Sequence, residues 1–140
     1  MSTQNNEMIL INDVMLNLDQ FPVLSNNVIL KESLEEMNNY KIGIVCIVDK
    51  NNKLIGVLTD GDIRRKLLKV QKPFSALLVD DAILYSERNP ITIRPDDRLK
   101  DSVKIMGLKQ IWDLPVTNES GVLVGLLHLH PAIKVLLNNK

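Results

Sequence analysis

The groups that carry most enzyme chemistry and most covalent cross-links are scarce in this chain. A single cysteine, Cys46, excludes an internal disulfide and a multi-cysteine metal site. Its setting, Ile44-Val45-Cys46-Ile47-Val48, reads as the core of a strand, where a thiol packs as a small inert hydrophobe. His128 and His130 have no cysteine or third histidine close in sequence to complete a zinc site, and no metal is assigned. No nucleophile stands beside a base, so no catalytic residue is assigned and the chain is not expected to be an enzyme. Net charge is lacking too: 17 Lys and Arg balance 17 Asp and Glu, leaving no long-range field toward nucleic acid or an anionic membrane. No apolar run approaches the roughly 20 residues that span a bilayer. With a polar start, Ser2-Thr3-Gln4-Asn5-Asn6-Glu7, the chain is expected to be soluble and cytoplasmic.

What the chain does have is an apolar pattern that occurs twice. Hydrophobic residues make up 45% of it, enough for one compact domain or for two small lobes sharing a core. Shifting the sequence by 69 positions aligns Leu30-Lys31-Glu32-Ser33-Leu34 with Leu99-Lys100-Asp101-Ser102-Val103, and Met37 with Met106. The register then holds: Leu54-Ile55-Gly56-Val57-Leu58 meets Leu123-Val124-Gly125-Leu126-Leu127, and Leu67-Leu68 meets Leu136-Leu137. An offset this constant fixes the architecture before any motif is invoked.

Each unit opens on a short extended piece, Phe21-Pro22-Val23-Leu24 or Pro90-Ile91-Thr92-Ile93, followed by an Asn or Asp capping signal. A helix follows, with Leu30, Leu34 and Met37, or Leu99, Val103 and Met106, on one face. Two strands come next, near 43–49 and 53–59, joined by the turn-rich Asp49-Lys50-Asn51-Asn52, with counterparts near 113–118 and 122–128. A second helix closes each unit. The expected fold class is α+β, two pseudo-symmetric β-α-β-β-α repeats packed through their sheets, since a unit of about 55 residues buries its sheet poorly alone. The expected divisions are a disordered tail over 1–7, a first repeat with a preceding short helix over 8–68, a connecting segment over 69–84, and a second repeat over 85–140. Within the connecting segment Phe74-Ser75-Ala76-Leu77-Leu78 reads as a docked helix.

One stretch carries chemistry. In Gly56-Val57-Leu58-Thr59-Asp60-Gly61-Asp62-Ile63 an apolar strand ends in a hydroxyl and a carboxylate three residues apart, at a helix start, which is a place to hold a ribose. The same Thr-x-x-Asp satisfies a capping box, with Thr59 as N-cap and Asp62 returning a bond to the backbone. The second copy, Gly125-Leu126-Leu127-His128-Leu129-His130-Pro131-Ala132, has His for Thr and Pro for the second Asp. Asp60 with Asp62 is weak evidence for a divalent metal and reads as a solvated helix start. Trp112 reads as core or interface packing, with a plug of the altered site or a base stack as alternatives. Arg64-Arg65-Lys66 reads as the exposed face of the closing helix, with Arg64 able to reach a phosphate.

Tandem units of this order, each with Gly-apolar-apolar-Thr/Ser-x-x-Asp after the third strand, resemble paired CBS domains, the Bateman module. The resemblance covers nearly the whole chain. Thr59-Asp60-Gly61-Asp62-Ile63-Arg64-Arg65 and Leu127-His128-Leu129-His130 look most like the modules appended to arabinose-5-phosphate isomerases and sugar-phosphate nucleotidyltransferases. The resemblance implies a regulatory module that binds an adenosine nucleotide in a cleft between repeats. Asp62 would accept both hydroxyls of a vicinal diol, and Thr59 would sit beside it. It further implies that the cleft of one repeat is closed by the strand entrance of the other, which points to Tyr85, Arg88 and Pro90, with Ile42 and Ile44 lining the base or phosphate side. Arg88 is the expected phosphate contact, through its planar fork of donors. Many family members place a basic residue where this chain has Ile44.

The equivalent second cleft would combine His128 and Pro131 with Asn17, Gln20 and Pro22. Pro131 suits a first helical turn but cannot accept a diol, and Asp113, matching Ile44, would repel phosphate. That cleft is not expected to bind a nucleotide in the same mode. The implied ligand is AMP, ADP or ATP, with Mg²⁺ only if carried by the phosphates and no required cofactor. Expected partners are a second copy of the chain and a sugar-phosphate isomerase or nucleotidyltransferase. The alternatives are a ligand-free dimerisation module and a sensor of a nucleotide sugar. The chain begins with Met and carries no catalytic domain, so it is expected to be a stand-alone regulator or a piece of a larger enzyme.

Overall fold

The computed structural model describes residues 8–138; the tail over 1–7 lies outside the described residues, as do 139–140. Two compact units form. One is the continuous stretch Asp19–Pro90, and the other joins the segment ending at Leu18 to the chain from Ile91 onward.

In the unit 19–90 the order is β1 (Val23–Ser25), α1 (Leu30–Tyr40), β2 (Ile44–Val48), β3 (Leu54–Thr59), α2 (Asp60–Lys69), α3 (Phe74–Leu78) and a 3₁₀ turn (Ala82–Tyr85). The sheet runs β1-β2-β3, with β1 parallel and β3 antiparallel to β2. Val45, Ile47 and Leu58 point from one face into a core with Leu30, Met37 and Ile63. Ile44, Cys46 and Val57, on the alternate positions, are buried as well. The other unit has a 3₁₀ turn (Ile11–Asp13), α4 (Leu99–Lys109), β4 (Asp113–Thr117), β5 (Leu123–His128) and α5 (Leu129–Asn138). Its core gathers Leu99, Met106, Leu114, Val116, Leu127 and Ala132. In place of a third strand, Ile93 makes a parallel bridge to Val116.

The 69-residue offset recurs in backbone detail. Ile44 faces Thr59 across one hairpin, and Asp113 faces His128 across the other. Both ladders slip at the same place, between Ile47 and Val48 and between Val116 and Thr117. Lys41 and Gln110 end their helices in the left-handed region, each at φ 55°, where 6→1 bonds from Ile42 to Met37 and from Ile111 to Met106 close the last turn. Asn52 (φ 64°) and Gly121 (φ 83°) repeat that conformation in the hairpin loops. Asp49 Oδ1 there accepts from the amides of Asn51 and Lys53, and Asn118 Oδ1 does so from Ser120 and Val122.

Three details depart from the sequence expectations. The Asn or Asp caps ahead of α1 and α4 are absent: the N-caps are Ile29 and Arg98. The short polar side chains fold the preceding turns instead, Asn27 accepting from Ser25 and Asp97 from the Arg94 amide. The first helical amides are satisfied by other backbone, Leu30 by the Asp80 carbonyl and Leu99 by that of Ile9, each at 2.8–2.9 Å. The short helix expected over 8–18 reduces to the 3₁₀ turn at Ile11–Asp13. Finally, the lead-in segments pair with β3 and β5 of units grouped across the repeat boundary. Leu16 bridges Leu126, and Glu87 bridges Val57. Both approaches need glycine beside them: a Cβ on Gly125 would lie 2.9 Å from the Leu16 carbonyl oxygen, and one on Gly56 2.7 Å from Ser86 Oγ.

Candidate functional site

All seven expected ligand residues fall within the unit 19–90. The structure brings together Ile44, Thr59 and Asp62. Thr59 ends β3 directly opposite Ile44, and Asp62 lies in the first turn of α2. The capping box is complete: Thr59 Oγ1 accepts from the Asp62 amide at 3.1 Å, and Asp62 Oδ2 accepts from the Thr59 amide at 3.1 Å. The other carboxylate oxygen, Oδ1, accepts from Arg65 Nη2 at 2.9 Å. Arg65, not Arg64, is therefore the basic residue that α2 turns toward its own start. The Arg65 side chain is 59% exposed, so this pair is held weakly and a ligand hydroxyl can displace it. With two oxygens and about four lone-pair sites, a carboxylate that caps through Oδ2 keeps further acceptor capacity.

The remaining four expected residues lie on other segments of the same unit. Ile42 precedes β2 and lines a pocket on the helical side of the sheet, with Leu34, Met37, Asn38, Gly43 and Asp60. Tyr85 turns its ring into the core with Val45, Ile47 and Leu58, on the sheet face opposite Ile44 and Thr59. Its hydroxyl donates to Asp80, which also holds Lys72 at 2.7 Å. Tyr85, expected to close the ligand cleft, is engaged structurally instead: the 3₁₀ turn aims the ring inward, and Asp80 accepts the hydrogen bond from its hydroxyl. Arg88 is exposed, its Nη2 3.5 Å from the Ile83 carbonyl oxygen. Pro90 is half-buried at the end of the same segment.

The Asp80–Tyr85 bond has a titration signature. Hydrogen bonding to Asp80, then burial, pushes the Tyr85 hydroxyl up from 10.0 to about 12. Between those values the unfolded chain loses this proton while the folded chain keeps it. Stability contributed by the bond is therefore full below pH 10 and is lost as pH rises toward about 12. Phenolate absorbance should show one of the two tyrosines ionising near pH 12 in the folded protein. Tyr85→Phe should remove that late step.

The second copy of the motif is differently built. His128 Nδ1 lies 2.7 Å from Asp113 Oδ1 across the β4–β5 hairpin. Burial pushes the Asp113 carboxyl up, and the His128 hydrogen bond opposes that shift. The sequence reading placed these residues at the positions of Ile44 and Thr59 without pairing them. The signal was the hairpin register, which sets the two positions face to face. Pro131 lies in the first turn of α5. The carboxylate that could grip a diol is absent at Pro131, and the one nearby is engaged by an imidazole. Trp112, assigned above to core or interface packing, is not in the core: it is 70% exposed. Among the described residues no three His, Cys, Asp or Glu side chains converge on a metal position, and no helix is long and apolar enough to cross a membrane.

A family model for the CBS domain matches the chain twice, at residues 11–69 and 79–135. The chain belongs to the CBS-domain family. Arabinose 5-phosphate isomerase KdsD of Salmonella typhi is 25% identical over 124 residues, which cover 89% of this chain and 36% of that protein. The CBS pair superposes on the crystal structure of CBSX2 in complex with AMP at a TM-score of 0.80, with 22% identity over 92% of this chain and 96% of that one. It superposes on the CBS domain pair of MJ0100, in complex with 5′-methylthioadenosine and S-adenosyl-L-methionine, at 0.77, with 21% identity, 95% of this chain and 99% of that one. Against curated relatives such as a Rickettsia prowazekii protein, 24% identical over 89% of this chain, the CBS pair spans about a third of the partner's length, 37% in that case.

Proposed function

We propose that this CBS pair is a regulatory module that senses an adenosine nucleotide through Thr59 and Asp62 and performs no chemistry of its own. The observation that carries this reading is the Asp62 carboxylate. It is fixed at the β3–α2 junction by Thr59, and its second oxygen is paired with an exposed arginine. The ligands crystallised with similar CBS pairs, AMP in one and 5′-methylthioadenosine and S-adenosyl-L-methionine in another, all carry a ribose attached to adenine, which supports a ribose grip as the common element. Any Mg²⁺ would arrive on the phosphates. The Asp113–His128 pair and Pro131 make the second copy a poor equivalent, so one nucleotide per chain is expected. The enzyme under control is proposed to be a sugar-phosphate isomerase or transferase, in line with the similarity to KdsD. That similarity also favours a nucleotide sugar as the second reading of the ligand.

Calorimetric melting with AMP, ADP, ATP, 5′-methylthioadenosine, S-adenosyl-L-methionine and a cytidine-linked sugar tests the proposal. At 100 times its Kd a ligand stabilises the fold by about 2.7 kcal/mol, a shift of several degrees. A shift from the sugar nucleotide alone moves the assignment to that class. No shift from any of them overturns ligand sensing and leaves assembly as the role.

A further inference from the structure

The pocket that Ile42 lines is a site of a different kind from the Thr59–Asp62 motif. It measures about 400 Å³, near the small end of the roughly 300–1,000 Å³ typical of small-molecule sites. Leu34, Met37 and Ile42 give it an apolar floor, and the exposed Asn38, Lys41 and Asp60 give it a polar rim. Lys41 is fixed at the left-handed residue that ends α1, and Asp60 opens α2 with its amide on the Gly43 carbonyl at 3.1 Å. The Asp60 carboxylate rests against the Gly43 backbone, where a Cβ would lie 2.5 Å from its Oδ2. Two opposite charges therefore line one pocket. Among the described residues they form no ion pair with each other or with a third group. Asp62, two residues on, is by contrast engaged by Thr59 and Arg65.

The second repeat supplies an internal comparison. Shifted by 69 positions, the floor persists as Val103, Met106 and Ile111, which pack in or against the core of that unit. Every rim group is exchanged: Asn38 is matched by Gly107, Lys41 by Gln110 and Asp60 by Leu129, while Trp112 stands at the place of Gly43. An apolar floor is what either unit needs to bury its first helix. The charged rim is no requirement of the fold, since the other copy folds without it.

We propose that this pocket binds a zwitterionic α-amino acid with an apolar side chain. An unpaired cation and an unpaired anion above an apolar floor are complementary to a small molecule that carries both charges and an apolar body. The ligand carboxylate meets the Lys41 ammonium, its ammonium meets the Asp60 carboxylate, and its side chain lies on Leu34, Met37 and Ile42. Asn38 offers a donor or an acceptor to either end. A plain amine leaves Lys41 unanswered and a plain acid leaves Asp60 unanswered, so full affinity needs both charges. Residues two apart on a helix do not face each other, so Asp60 and Asp62 serve different sites, and this one does not rest on the nucleotide reading.

Titration calorimetry with leucine, methionine and phenylalanine tests it, each beside the amine left when its carboxylate is removed and the acid left when its ammonium is removed. At least one amino acid should bind saturably, with its amine and its acid each weaker by about tenfold or more. Amide shifts in ¹⁵N NMR on adding that amino acid should centre on residues 38–43 and Asp60. Asp60→Asn and Lys41→Gln should each weaken binding by about ten- to hundredfold. Glutamine suits the second position, since the matched Gln110 holds the same backbone at φ 55°, and circular dichroism melts should show both variants folded. Gly43→Ala, which pushes the Asp60 carboxylate aside, should weaken binding as well. No saturable binding by any of the three amino acids overturns the proposal. So does an amine or acid that binds as tightly as its parent, binding that survives both charge-removing substitutions, or shifts centred outside this pocket.

Discussion

Leu58→Ala and Leu127→Ala are each expected to cost about 2–5 kcal/mol of folding stability, and to cost similar amounts. The two leucines are 69 residues apart and occupy the same place in their units. Each is fully buried, on the core-facing side of the second hairpin strand. Around Leu58 stand Val45, Ile47, Met37 and Ile63; around Leu127 stand Leu114, Val116, Met106 and Ala132. Truncation removes the transfer free energy of three carbons and leaves a hole that a strand, pinned by its ladder, cannot collapse into. Against a total of roughly 5–15 kcal/mol for a domain of this kind, either loss is large. Urea titration of both variants should show lowered midpoints at nearly unchanged slope. Leu84→Ala, at a side chain 60% exposed, should stay within about 0.5 kcal/mol of wild type. A cost below about 1 kcal/mol at Leu58 would mean that the β3 core face is not where this unit draws its stability.

The repeat made most of the fold legible, because it acts on features that a single sequence displays. Short apolar runs mark β2, β3 and β5, and the i, i+4, i+7 spacing of Leu30, Leu34 and Met37 marks α1. The turn chemistry of Asp49 marks the first hairpin loop, and the structure shows Asn118 folding the second in the same way. What the repeat could not display is pairing between segments outside its register. Ile9, Leu16, Asp80 and Glu87 satisfy helix amides or strand edges through their backbones, and a backbone bond leaves no mark on side-chain identity. For the same reason the N-caps at Ile29 and Arg98 were not readable: once the Asp80 and Ile9 carbonyls serve the first amides, no capping side chain is needed.

The candidate site was legible to the extent that its geometry is local. Thr59 and Asp62 are three residues apart at a strand-to-helix junction, and their capping box follows from that spacing. Arg65 on Asp62 is an i, i+3 pair of the same kind. Residues brought in from a distance were harder to assign. Tyr85 reads as a ligand contact, but it ends a short 3₁₀ turn and its ring joins the core with Val45, Ile47 and Leu58, a placement set by tertiary packing that residue type alone does not record. The Asp113–His128 pair lay between the two cases, since its members are 15 apart and only the hairpin register joins them.

On the proposed ribose-grip reading, Asp62→Asn is expected to lower affinity for an adenosine nucleotide by about ten- to hundredfold while leaving the fold close to wild type, and this dissociation separates a ribose grip from a helix cap. An asparagine keeps one side-chain carbonyl oxygen, enough to accept from the Thr59 amide as Oδ2 does, so the capping box survives. It loses the exposed pair with Arg65, worth only a few tenths of a kcal/mol. Its other end becomes an NH₂ donor where a diol hydroxyl needs an acceptor. Losing hydrogen bonds to a charged acceptor costs about 1.5–3 kcal/mol, which sets the affinity range. Asp62→Ala removes cap and grip together, and should add about 0.5–2 kcal/mol of lost stability to the same loss of binding. Titration calorimetry and urea unfolding on the three proteins give both coordinates. Should Asp62→Asn and Asp62→Ala bind nucleotide as wild type does, with only the alanine variant destabilised, then Asp62 caps α2 and does nothing more.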